Sequence, residues 1–451
     1  MVILFRPVST QLLQLASHYL DDVALSLRKA TATAQGKRIV YADHPQAPAL
    51  AHTTLYGWLT MLGVMTISLA KGCELFLQAD PTSTTPHLWR MFTRAPLKVV
   101  AAYVDQKPEN DLSAQRSQEF DFPIFPTIPE TLTCGGDRLA VDAVLIIGEH
   151  GNYPKNEYGQ TKYPRYEFFK QVTDVFRRDG RTVPIFNDKH LSWKWDWAKE
   201  MVDISRELKF AFSAGSSLPV TWRMPAIDMP YGAEVEELLS VSIGSIDSYD
   251  FHALEAIQCM AERRRGSETG VVSMHALRGD AVWSAMEIGS WSGGGWDPRL
   301  FEACLSRSQT LTQPETFSHR YPTPTQIRQW VKEPVAYRFE YADGVKATML
   351  MMNGLVGDFT FAARLKGEIE PLSTLFYLPP TPNVTYSASL MSKAEETFLT
   401  GKSPYPIERT LLTTGLVEAG VRSLGTGQKR IETPHLNIRY EAPRESTFAR
   451  T

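Results

Sequence analysis

Cysteine is scarce in this chain. Its 451 residues include four, Cys73, Cys134, Cys259 and Cys304, and none stands in a C-x-x-C pair. That argues against a disulfide framework and a cysteine-based zinc site, and for buried thiols in a reducing compartment. A surplus of one charge is lacking too. The 47 basic and 50 acidic residues give a formal net charge of −3 with no basic run, so nothing attracts nucleic acid. Residues 55–70 (LYGWLTMLGVMTISLA) are uncharged but number only 16, short of the roughly 20 that span a bilayer. They read as a buried helix or strand pair, and no membrane partner is expected. Residues 1–35 end in an Ala-x-Ala-like site, but Asp21 and Asp22 interrupt the apolar region that an export signal needs. A retained helical extension over 1–36 and a cytoplasmic protein are expected. There is no internal repeat and no low-complexity tract.

What is there is an ordinary globular composition, 43% hydrophobic and 22% charged, in a chain long enough for two domains. From residue 37 strand-like and helix-like segments alternate. Short runs at 37–41, 97–106 (LKVVAAYVDQ), 141–150 (VDAVLIIGEH), 182–186 and 210–217 read as strands. The segments 111–121, 165–180 and 196–209 read as helices. Continuous apolar strands between helices predict an α/β fold, a Rossmann-like doubly wound parallel sheet over 37–218. The second half reads as an α+β domain, 219–434, with an open, mainly antiparallel sheet and a tail over 435–451. Asp343-Gly344, between the β-rich runs of 335–352, signals a hairpin. A helix opening at Asp250, and two more around a Gly/Pro-rich loop within 390–424, complete the pattern.

Ligands of open parallel sheets bind at the carboxyl ends of the strands. Three such positions carry chemistry here. Glu149-His150 closes one strand, Asn187-Asp188-Lys189-His190 closes the next, and Asp250-Phe251-His252 opens the helix of the second half. A lysine beside a carboxylate orients a hydroxyl, and an imidazole serves as a base near neutral pH. Asn152 and Tyr153 after one strand end, and Trp222 and Arg223 after another, offer polar and aromatic groups to a carbohydrate. Trp193, Trp195 and Trp197 read as interdomain packing, and 290–300 (SWSGGGWDPRL) as a surface loop or lid.

The order of 97–106, 111–132, 141–150 and 182–217 resembles the Gfo/Idh/MocA oxidoreductases, as does 250–260 (DFHALEAIQCM) followed by 408–434. The resemblance runs from about residue 97 to residue 434. It implies that Lys189 matches the family's substrate lysine, with Asp188 for the preceding acid. His252 matches the catalytic histidine, Glu255 the acid one turn on, and Asp105 the ribose-binding acid. It implies a sugar, cyclitol or related polyhydroxy substrate, NAD or NADP as cofactor, and a homo-oligomer formed through the C-terminal sheet.

The departures are specific. The family's G-x-G-x-x-G turn, whose glycines admit a pyrophosphate, is absent, and Pro45 and Pro48 follow the 37–41 run instead. His190 replaces the proline after the lysine, and Ser248 stands four residues before His252, where the family has an aspartate. Two further readings stay open beside the oxidoreductase. One is a nicotinamide-independent lyase, hydratase or isomerase, with a divalent metal on His150, Asp188, His190 and His252. The other is a non-catalytic sugar-binding homologue.

Overall fold

The computed structural model describes residues 2–7, 97–148, 151–313, 321–378 and 385–449. The expected strand at 37–41, Pro45, Pro48, the 55–70 segment, Cys73, Glu149 and His150 lie outside the described residues, as does most of the 1–36 extension.

Two sheets organise the chain. The first contains β1 (Val2–Pro7), β2 (Leu97–Tyr103), β3 (Ile124–Phe125), β4 (Ala143–Ile146), β5 (Ile185–Asp188) and β6 (Phe212–Gly215), in the order β3-β2-β1-β4-β5-β6. β2 and β3 pair in parallel, as do β4, β5 and β6. β1 departs from expectation twice. Residues 2–7 form a strand instead of opening a helix, as the β-prone composition of Val-Ile-Leu-Phe favours. That strand also runs antiparallel to both neighbours, with Val2 level with Tyr103 and Ile146.

Helices cover both faces of this sheet. α1 (Ser113–Phe120), α2 (Ile128–Thr133), α3 (Arg165–Asp179) and α4 (Trp195–Glu207) lie within the α/β run. α2, α3 and α4 build a core with Val144, Ile146, Ile185 and Phe212. Leu97, Leu145, Phe186 and Val220 on the opposite face meet Leu390, Met391 and Ala394 of the late helix α9 (Thr385–Thr400).

The second sheet holds β7 (Trp222–Met224), β8 (Val235–Ser242), β9 (Val271–Arg278), β10 (Val335–Tyr341), β11 (Lys346–Met351), β12 (Phe359–Leu365), β13 (Leu372–Tyr377) and β14 (Ile431–Glu432). Its order is β14-β9-β10-β11-β8-β12-β13-β7, antiparallel except for the β8–β11 pair. The Asp343-Gly344 hairpin forms as expected, with Glu340 opposite Lys346 and Gly344 at φ 88°. Alternation along the strands divides the side chains. Tyr337, Phe339, Met349 and Phe361 face α5 (Tyr249–Ala261) and α10 (Ile407–Gly425).

Leu239, Val241, Leu277, Ala336, Leu350 and Ala362 face the other way. There they are covered by α6 (Asp280–Ile288), α7 (Pro298–Arg307) and α8 (Pro324–Trp330) of the same chain. This corrects the expectation of a sheet face left for a second copy, because the inserted helices bury that surface in cis. The 290–300 loop belongs to this cover instead of forming a lid. Trp296 is fully buried, and the Arg338 guanidinium donates to the carbonyls of Gly295 (3.0 Å) and Trp291 (2.8 Å). Among the described residues no helix is long and apolar enough to cross a membrane.

Candidate functional site

The carboxyl ends of β5 and β6 adjoin the first turn of α5, and four of the predicted residues, Asp188, Lys189, His252 and Glu255, lie on these elements. β5 ends at Asp188, which is buried, and the chain turns at Lys189 through a left-handed φ of 66°. A non-glycine residue in that region is uncommon and concentrates at functional sites. The turn lets the Lys189 N–H donate to the Gly215 carbonyl at 3.2 Å, while its ammonium lies 3.3 Å from Asp188 Oδ2. One residue past Gly215, Ser216 Oγ lies 2.6 Å from His252 Nδ1. Lys189 and His252 are thus brought to adjacent strand ends. The half-buried imidazole is flanked by Tyr249 (ring centroids 6.0 Å) and Phe359 (6.4 Å).

Glu255, one turn along α5, organises this corner from below. Its carboxylate accepts the Ser216 N–H (3.3 Å) and the Thr413 hydroxyl (2.6 Å), and burial pushes its pKa up against the pull of Arg409. Gly215 is required here. At φ 127°, a Cβ would stand 2.9 Å from Glu255 Oε2 and 3.0 Å from Thr410 Oγ1.

Other predicted residues are placed differently. His190 is buried beside Phe251, and its Nε2 faces Arg165 Nη1 at 3.0 Å. A guanidinium can only donate, so that nitrogen's lone pair is spent, which suits neither a base nor a metal ligand. Arg223 is buried, paired with Asp228 (2.6 Å) and packed over Phe448 and Phe376. It contacts Cys259 and Met260, about two helical turns along α5 from His252. It braces α5 instead of reading a substrate. Trp222 is half-buried on the edge strand β7, opposite Tyr377. Of the three tryptophans, Trp195 packs between the units against His435, as expected, while Trp197 stacks on Tyr166 at 4.6 Å and meets Trp193 within the first unit.

Asp105, in the position of a ribose-binding acid, has its oxygens engaged. Tyr103 donates to Oδ1 (2.7 Å) and Tyr153 to Oδ2 (2.8 Å). Asn152 is exposed, and its N–H donates to Gln106 at 2.8 Å. Among the described residues no group of three or more His, Cys, Asp or Glu is arranged for a metal ion.

In the usual dinucleotide fold the turn that cradles pyrophosphate springs from the carboxyl end of the central first strand, whereas here β1 lies between β2 and β4 and runs antiparallel to both.

Sequence reasoning misses four residues. Ser216 is legible only as part of a small-residue strand end. Arg165, buried and reaching His190, reads as the start of an amphipathic helix. Asp247 and Tyr249 precede His252 by five and three residues, in a segment whose turn no motif specifies. Asp247 is buried at φ 63°, and burial together with neighbouring Asp250 raises its pKa to about 7. Asp250 is fully buried and, mainly through that burial, pushed up to about 6. Its oxygens accept from the N–H groups of Ser248 and Phe251 and from the Tyr337 hydroxyl.

No family model matches this chain. No curated protein matches it either. Solved structures give a distant likeness. Myo-inositol dehydrogenase from Lactobacillus casei, in complex with NAD(H) and myo-inositol, is 11% identical over 74% of this chain and 88% of its own, with a TM-score of 0.46. A probable dehydrogenase from Thermotoga maritima is 11% identical over 75% and 92%, with a TM-score of 0.45. A super-repressor mutant of Gal80p from Saccharomyces cerevisiae is 10% identical over 76% and 91%, with a TM-score of 0.43. Likenesses of this size assign no activity.

Proposed function

We propose that the protein is an enzyme acting on a hydroxyl group of a small polyhydroxy compound, a sugar or cyclitol, at the ends of β5 and β6. The observation that carries this reading is the 2.6 Å contact of Ser216 Oγ with His252 Nδ1, one residue from the Gly215–Lys189 bridge. In the tautomer whose Nδ1–H donates to Ser216 Oγ, Nε2 is the nitrogen that takes the hydroxyl proton. The Lys189 ammonium, oriented by Asp188, stabilises the alkoxide as it forms. Tyr249, 44% exposed beside His252, offers an aromatic surface to the C–H face of a sugar ring.

An oxidoreductase, as the sequence resemblance implies, takes the hydroxyl proton and passes the hydride of that carbon to a nicotinamide, whereas a nicotinamide-independent lyase, hydratase or isomerase would use the same base on a C–H proton. They differ in where the electrons go. The direction of β1 and the engaged Asp105 favour the second. A panel of sugars, sugar acids and cyclitols separates them. Each compound is incubated with NAD or NADP and followed by nicotinamide absorbance, and separately in deuterated water without nicotinamide and followed by NMR. Nicotinamide reduction selects the oxidoreductase, and deuterium incorporation alone selects the other class. A panel silent in both arms contradicts the proposal.

A further inference from the structure

Residues 151–164 leave the end of β4 and cross the edge where β2, β4 and β5 all finish. This strap is fastened on both sides. At one side Tyr153 donates to Asp105 (2.8 Å) and the Asn152 N–H to Gln106 (2.8 Å). At the other, the Thr161 N–H donates to Asp247 Oδ2 at 2.6 Å and Gln160 Nε2 to Oδ1 at 3.4 Å. Between them Asn156 Oδ1 accepts from the N–H groups of Tyr158 (3.0 Å) and Gln160 (2.9 Å), which keeps the strap compact. Asp247 makes no cap for α5, whose N-cap residue is Ser248 with no side-chain cap bond. Its carboxyl is turned to the strap.

We infer that Asp247 is a positioning residue, which ties strap 151–164 to the head of the helix that carries His252 and so holds the strap along the edge of the crevice. The inference rests on reading that crevice as the site for a polyhydroxy compound. Two charged groups act on Asp247. Asp250 of α5 raises its pKa, and Arg165 at the head of α3 lowers it, as do the bonds from Thr161 and Gln160. Tyr337 of β10 stands behind Asp250. The sign of the pH dependence follows from linkage. A fastened Asp247 keeps its proton to about pH 7, whereas a released one loses it near the ordinary carboxylate value. The fastened state therefore binds more protons between the ordinary carboxylate value and about pH 7, and the strap loosens as pH rises across that range and levels off above it.

Hydrogen exchange of peptides within 151–164, at pH 6 and pH 8 and corrected for intrinsic rates, tests this without any substrate. Its outcome is thus separate from that of the substrate panel. In the wild-type chain, protection of the strap should fall between pH 6 and pH 8. Asp247→Asn, an uncharged isostere of the protonated acid, should keep its protection at both. Asp247→Ala, which leaves Thr161 and Gln160 without their acceptor, should exchange about tenfold faster in the strap at pH 6, with the β10–β11 hairpin unchanged. Exchange of Asp247→Ala within about twofold of wild type overturns the inference. Should that variant not fold, a pH dependence in Asp247→Asn equal to that of wild type overturns it as well.

Discussion

Gly215 shows how closely the site is built at the level of single residues. Its φ of 127° is one that side chains rarely adopt, and its missing Cβ leaves room for Glu255 and Thr410. Gly215→Ala is expected to cost about 1–3 kcal/mol in urea unfolding. It should also lower turnover, because Ser216 and the Lys189 bridge move with it. Residue identities at this site are partly legible in the sequence. Asp188, Lys189, His252 and Glu255 follow from strand ends and helix spacing. His190 and Arg223 do not, because polar type does not reveal whether a side chain's bonding capacity is already met inside the protein. Arg165 satisfies the first and Asp228 the second, from 25 residues before His190 and 5 residues after Arg223.

At the scale of elements, hydrophobic patterning identifies β2, β4, β5 and β6 of the first sheet and α1, α3, α4, α5, α9 and α10, and Asp-Gly locates the β10–β11 hairpin, while β7, β8, β9, β12 and β13 of the second sheet are not read. Pattern alone does not set strand direction, so β1 is unforeseen in both place and polarity. Nor does it set which layer a helix joins. Apart from the 290–300 loop, the interval holding α6, α7 and α8 is not read from the sequence, yet these helices cover the outer face of the second sheet. The cover is fastened by charge as well as by apolar burial. Asp297 ion-pairs with Arg364 (2.5 Å), which also reaches Glu237 at 3.3 Å, and Arg338 holds the 290–300 loop. Trp296, fully buried in this layer, is its largest contributor. Trp296→Ala should lower stability by about 3–5 kcal/mol in chemical denaturation, whereas the exposed Ile288 at the end of α6, when changed to Ala, should stay within about 0.5 kcal/mol. Equal effects would show that the cover is not part of the cooperative core.

For the whole molecule, the two sheets are joined where function is proposed. α10 packs on both units. Thr410 and Tyr405, just before it, donate to the Ala214 carbonyl at the end of β6, while Leu412 and Leu416 enter the core of the second sheet. Lys189 bonds to Gly215 and His252 to the next residue, Ser216, and the proposed activity depends on these two side chains acting together on a substrate hydroxyl. The most direct test is the rate of His252→Ala on whichever panel compound turns over, measured beside its unfolding transition. A loss of about 10²–10⁴-fold is expected, the usual worth of a general base, with unfolding close to that of the wild type. Activity within about threefold of wild type would contradict a catalytic role for His252 and, with it, the proposed function.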